Sequence, residues 1–171
     1  MLLLISDANV IIDLEAGELI EKLFELPYRF ATPDVLYEEE IEPDSPHLAG
    51  WGLEVLVIGG DYIDYAVELG HRYGDEPSFN DRLALALAKQ ESCPLLTGDQ
   101  NLRVLAVREQ AEVRGTIWIF TELIEFGKVS KETAHAALAM MKQRDRRLPW
   151  DKARKYIDET TFGIKKRTDT P

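Results

Sequence analysis

The chain has 171 residues, of which 45% are apolar, enough for one domain with a real core and too few for a second full one. A single cysteine, Cys93, excludes an internal disulfide, and no charged leader with an apolar export segment and no long apolar run occurs, so a cytoplasmic protein without membrane contact is expected. The formal charge of −11 argues against a phosphate-rich partner, yet residues 1–127 hold 8 basic and 25 acidic side chains whereas residues 128–171 hold 12 and 6, so an acidic body carries a basic end.

In chain order, Leu2 to Ile5 is a short continuous apolar run stopped by Ser6-Asp7, the pattern of a buried parallel strand. Val10 to Leu26 has apolar residues at helical spacing, with Gly17 dividing two short helices. Arg29 to Ala31 predicts a second strand, and Thr32-Pro33-Asp34 a helix start with Thr32 as cap and Pro33 in the first helical position, running to Ile41. Leu53 to Ile58 is a candidate third strand, and Asp61 to Tyr73 a helix. Ser78 opens the clearest helix, Phe79 to Gln90. Cys93 to Thr97 predicts a buried strand closed by Gly98-Asp99, followed by a helix near Leu102 to Gln110. Thr116 to Phe120 is read as the last strand and Thr121 to Phe126 as the start of a helix. The basic end predicts two more helices, Ser130 to about Arg144 and about Trp150 to Glu159, with the final dozen residues loose. Alternating strands and helices of this kind define a β/α layout.

Four acids stand at strand ends or helix starts rather than on solvated faces: Asp7, Glu39, Asp81 and Asp99. In a parallel sheet Asp7 and Asp99 emerge at one edge, where the chemistry of open α/β folds collects. Each aspartate also suits a plain capping role, Asp81 closing a capping box with Ser78. Within Glu38-Glu39-Glu40, at about 100° per residue, Glu39 falls within roughly 10° of the direction set by Val35 and Leu36, and its neighbours roughly 90° or more away. Glu39 is therefore expected to face the interior, with Glu38 and Glu40 as the alternatives. Four converging carboxylates repel unless a hard divalent cation binds between them; Mg²⁺ or Mn²⁺ with oxygen ligands favours phosphodiester hydrolysis.

The set Ser6-Asp7-Ala8-Asn9-Val10, Thr32-Pro33-Asp34-Val35-Leu36-Tyr37-Glu38-Glu39, Ser78-Phe79-Asn80-Asp81 and Leu96-Thr97-Gly98-Asp99 resembles the PIN-domain ribonucleases, including VapC-like toxins, across about residues 1–127. The resemblance implies a Rossmann-like three-layer α/β/α sandwich with a central, mostly parallel sheet over residues 1–127; the charge count and helical patterning add a basic helical extension over 128–171, expected to pack on or beside it. It further implies a Mg²⁺ or Mn²⁺ site made by Asp7, Glu39, Asp81 and Asp99, supported by Asn9, Thr97 and Ser78, and cleavage of RNA. Ala8 stands where many members carry a hydroxyl residue. A homodimer or higher oligomer and an antitoxin partner are expectations of the same kind.

Candidate RNA contacts are Arg82, Arg144, Arg146, Arg147 and Lys152, with Trp150 and Tyr156 available to stack a base or to pack on the body. His47, His71 and His135 show no zinc-ligand spacing, and no glycine-rich phosphate loop occurs. An aspartyl phosphotransferase of the haloacid-dehalogenase type needs Asp-x-Asp after the first strand, and Asn9 takes the place of the second acid. A PIN-like binding module without turnover is the remaining alternative.

Overall fold

A computed structural model describes residues 1–166 of the chain. Five strands, β1 (Leu3–Ser6), β2 (Arg29–Pro33), β3 (Leu53–Leu56), β4 (Leu95–Leu96) and β5 (Val113–Arg114), form one sheet in the order β3-β2-β1-β4-β5. Every pairing is parallel, with Leu4 opposite Phe30 and Ile5 opposite Leu95. β1 is central, and Leu4 and Ile5 are wholly buried, which is why its sequence is an unbroken apolar run. From β1 the chain builds outward through β2 and β3, then returns to add β4 and β5 on the other side. The strand order reverses between β1 and β4, and such a reversal opens a crevice at the strands' carboxyl ends.

Helices flank the sheet. α1 (Ala8–Ala16) and α2 (Ile20–Leu23) follow β1; α3 (Asp34–Leu36) continues into a π-helical turn at Tyr37–Ile41; α4 (Leu48–Trp51) precedes β3. α5 (Gly60–Tyr73), α6 (Phe79–Gln90) and α7 (Gln100–Arg108) pack together, as do α1, α8 (Thr116–Glu125), α9 (Lys131–Gln143) and α10 (Trp150–Glu159). The α6 span from Arg82 to Ala88 is entirely buried, because Ala84, Ala86 and Ala88 let the helix lie close on β1 and β2. The result is the expected α/β/α sandwich.

Several expectations need correction. Thr32 belongs to β2 and donates its hydroxyl to Ser6 O at 3.2 Å, so it does not cap the next helix, whose first residue is Asp34. Thr116 to Phe120 is helical: Thr116, Ile119, Phe120 and Leu123 are buried at helical spacing, and that periodicity overrides the β-branched and aromatic composition. The last strand is instead Val113–Arg114. The strands expected at Leu53 to Ile58 and Cys93 to Thr97 shorten to β3 and β4, and α7 lies two residues earlier than expected at both ends. Of the residues expected to be loose, 160–166 are tethered: Gly163 N donates to Ile124 O at 3.0 Å and Lys165 N to Glu125 O at 2.9 Å. The rest of that stretch lies outside the described residues.

Candidate functional site

Asp7 leaves β1 at the reversal point and caps α1, its Oδ1 accepting Val10 N at 3.1 Å. Oδ2 accepts the hydroxyl of Thr97, which leaves the adjacent β4. The same hydroxyl oxygen accepts Asp99 N at 3.0 Å, so one threonine links two of the acids. Asp99 caps α7, with Oδ1 accepting Leu102 N at 2.7 Å. Asp81 forms the expected capping box: its Oδ2 accepts Ser78 N at 3.1 Å and Ser78 Oγ at 2.8 Å. Among the described residues, Asp81 Oδ1 and Asp99 Oδ2 accept no hydrogen bond.

Asp7 is 0% exposed, and burial pushes its carboxyl up to about 7 against the lowering effect of the Thr97 and Val10 bonds. The two neighbouring charges that act on it, Asp81 and Asp13, are both negative and push the same way. Burial likewise raises Asp81, Ser78 opposes the rise, the charge of Asp99 adds to it and the Arg82 guanidinium works against it. Asp81 thus acts on Asp7, and Asp99 on Asp81.

Glu39 is placed differently from expectation. It is exposed, like Glu38 and Glu40, because the buried side of this turn is set by Leu36, Tyr37 and Ile41, whereas Val35, which helped to set the expected direction, is only half-buried. Its Oε2 accepts Asn80 Nδ2 at 2.8 Å, and Glu40 Oε1 accepts the same group at 2.7 Å. Asn80 therefore holds both glutamates beside the first turn of α6, next to Asp81. Among the described residues, no three His, Cys, Asp or Glu side chains stand close enough to cage a metal ion.

Asn9 faces Arg146, whose Nη2 donates to its Oδ1 at 3.5 Å, rather than the acids. Arg82 is not available for a phosphate. It is 7% exposed and donates to Ala66 O, Gly74 O and Pro77 O at 3.1, 3.2 and 2.8 Å, bracing the loop before α6. Arg144 is spent on Ala16 O at 2.8 Å and Glu18 at 2.9 Å. Arg147 and Lys152 line a cavity of about 700 Å³ at the carboxyl ends of β4 and β5. Trp150 packs on the core, whereas Tyr156 is 45% exposed.

One residue escaped the sequence reading. Asp13, on α1, is buried and accepts Arg146 Nε at 2.6 Å and Thr116 Oγ1 at 3.1 Å. Burial raises its carboxyl while Arg146 and Thr116 lower it. The available signal was an acid inside the apolar run Val10-Ile11-Ile12-Asp13-Leu14, one turn from Val10 on the buried face.

Fold and site together define a Rossmann-like α/β/α protein with an acidic crevice at its reversal point. The family model of DUF3368, a PIN domain, matches residues 3–161, so the chain belongs to the PIN-domain family, whose fold is of nuclease type. The match runs through α9 and α10. No curated protein matches the chain.

Proposed function

We propose that this PIN domain is a metal-dependent endoribonuclease that hydrolyses RNA phosphodiester bonds. The observation that carries the reading is Asp7: a fully buried carboxylate at the reversal point, raised to about 7, whose acting neighbours are acids. Asp13 is paired with Arg146, so the charge left to be balanced beside Asp7 is that of Asp81, with Asp99 next to it. An all-carboxylate donor set fits a hard cation such as Mg²⁺ or Mn²⁺.

Asp7, Asp81 and Asp99, which as they stand are too far apart to cage an ion, are the residues proposed to converge on it, with Glu39 as the fourth acid at the rim. The backbone and hydroxyl bonds to Asp7 fix its carboxylate, and those to Asp81 and Asp99 leave Oδ1 and Oδ2 respectively as open donors. A bound ion would supply a Lewis acid that lowers the pKa of an attacking water and stabilises the leaving oxygen. Asn80 orients Glu39 toward the first turn of α6, and Ser78 keeps Asp81 at its start. A toxin–antitoxin role and a homodimer rest on the resemblance to VapC-like proteins and belong to the same proposal.

A second reading, a PIN-like binding module without turnover, is favoured by one observation: Asp7, Asp81 and Asp99 each already serve a helix start. Incubation of single-stranded RNA with the protein and Mn²⁺ separates the two. Cleavage is expected from the wild type and lost in Asp7→Asn; equal cleavage by the variant assigns the activity to another site, and an inert wild type that still binds RNA selects the binding module.

A further inference from the structure

A cavity stands beside the acids. Its walls are the ends of β4 and β5, the first turns of α7 and α8, and α10 with the loop before it. Its volume of about 700 Å³ lies within the usual range for small-ligand sites, about 300–1,000 Å³. Thr97 and Gly98 belong to the wall, so the cavity lies one side chain away from Asp7.

The charges facing it are unequal in availability. Asp13 is neutralised by Arg146, and Glu125 by Lys165 at 2.7 Å, while Arg114 is paired with Glu112 and the exposed Glu159 stands 3.9 Å from Lys155. Arg147 and Lys152 form no ion pair among the described residues, and Arg103 donates only to a neutral carbonyl, Thr97 O, at 3.3 Å. Arg103 reaches that position over Gly115, where an added Cβ would stand 2.6 Å from its guanidinium. Three cations without an acid partner among the described residues, against one loosely paired acid, Glu159, therefore line one cavity on a protein of net charge −11. Tyr156, 45% exposed on the same wall, presents an aromatic ring with Lys152 Nζ at 5.8 Å. Cations beside an exposed aromatic ring are the chemistry of a phosphate joined to a base.

We infer that this cavity takes one unstacked nucleotide of the RNA strand next to the scissile phosphate, with Arg147, Lys152 and Arg103 on its phosphates and Tyr156 against its base. The inference rests on the ribonuclease reading for the identity of the strand. It also gives α10 a role: the helix supplies the wall that the sheet lacks on that side.

The test is binding of a short fluorescein-labelled single-stranded RNA of mixed sequence to the full chain, with the same RNA as a duplex and AMP as competitors. Reversing Arg147→Glu and Lys152→Glu together is expected to weaken binding at least tenfold and to make the salt dependence shallower by about 1.4, since each phosphate contact contributes about 0.7 to the slope. Tyr156→Ala is expected to cost about tenfold and Tyr156→Phe little, because stacking needs the ring and not the hydroxyl. Weaker binding of the duplex supports an unstacked base. Unchanged affinity and salt slope in all variants overturn the inference, as does AMP binding as tightly as the strand, which makes the occupant a free nucleotide. RNA held through these residues but never cut leaves the cavity assignment standing and removes the nuclease reading. RNA cut with no dependence on them does the reverse.

Discussion

Thr97 donates its hydroxyl to the buried Oδ2 of Asp7 and accepts the backbone N–H of Asp99 with the same oxygen. One side chain at the end of β4 therefore sets the position of the acid that ends β1 and of the loop that starts α7. Thr97→Val keeps the shape and the strand propensity but leaves Oδ2 without its donor. Loss of about 1–3 kcal/mol is expected, together with a further rise of the Asp7 carboxyl; Thr97→Ser should restore both. Denaturant midpoints of the three proteins check this, and a Val variant as stable as the wild type would show the bond to be dispensable.

The pH dependence of stability follows from the sign of the Asp7 shift. Its folded value of about 7 lies above the ordinary 3.8, so between those values the folded chain holds a proton that the unfolded chain has released. Stability from this group is present at low pH and is lost as pH rises through about 7, by at most about 1.4 kcal/mol per pH unit. Asp7→Asn retains a good cap and removes the charge, so the metal-free variant should melt higher than the wild type at pH 8 and lack this part of the slope. Thermal melts from pH 5 to pH 8 measure it; parallel curves for the two proteins would exonerate Asp7.

Added Mn²⁺ should raise the melting temperature of the wild type, with about 2.7 kcal/mol expected at a hundredfold excess over Kd. Asp81→Asn should lose most of that gain, since an anionic donor disappears. Glu39→Gln should lose less, because Glu39 is exposed and stands at the rim. Equal gains in all three proteins would place the ion elsewhere.

Arg146 binds Asp13 at 2.6 Å, with the aspartate side chain 5% exposed and the arginine 24%. Arg146→Met strands a buried carboxylate and should cost about 2–4 kcal/mol, somewhat below the figure for a fully buried pair. The double variant Asp13→Asn with Arg146→Met should recover most of it. A chemical denaturation series over the four proteins gives the coupling, and simple additivity would mean that the pair does not tie the residues after α9 to α1.

Local signals in the sequence were sufficient where one element decides its own structure. The buried run of β1, the capping box of Ser78 and Asp81, and the bounds of α6 and α10 were all legible, because apolar periodicity and terminal hydrogen bonds act over a few residues. The β-branched and aromatic composition of Thr116 to Phe120 suits a strand, whereas its buried positions follow the helical period, and packing obeys the period. Glu39 faces solvent because Leu36, Tyr37 and Ile41 mark the buried side of its turn, and nothing in Glu38-Glu39-Glu40 announces that Val35 stays half-buried.

By itself the sequence determined the parallel β/α layout, the acids at Asp7, Asp81 and Asp99 and the family to which they point, since strand patterning and helix capping are written in neighbouring residues. Only the tertiary structure decided that Arg82, Arg144 and Arg146 are structural braces while Arg147 and Lys152 face a cavity. It alone joined Thr97 to Asp7 and Arg146 to Asp13, pairs separated by 90 and 133 positions. Whether a charge is neutralised, buried or free depends on which distant backbone folds against it, and that choice belongs to the whole chain.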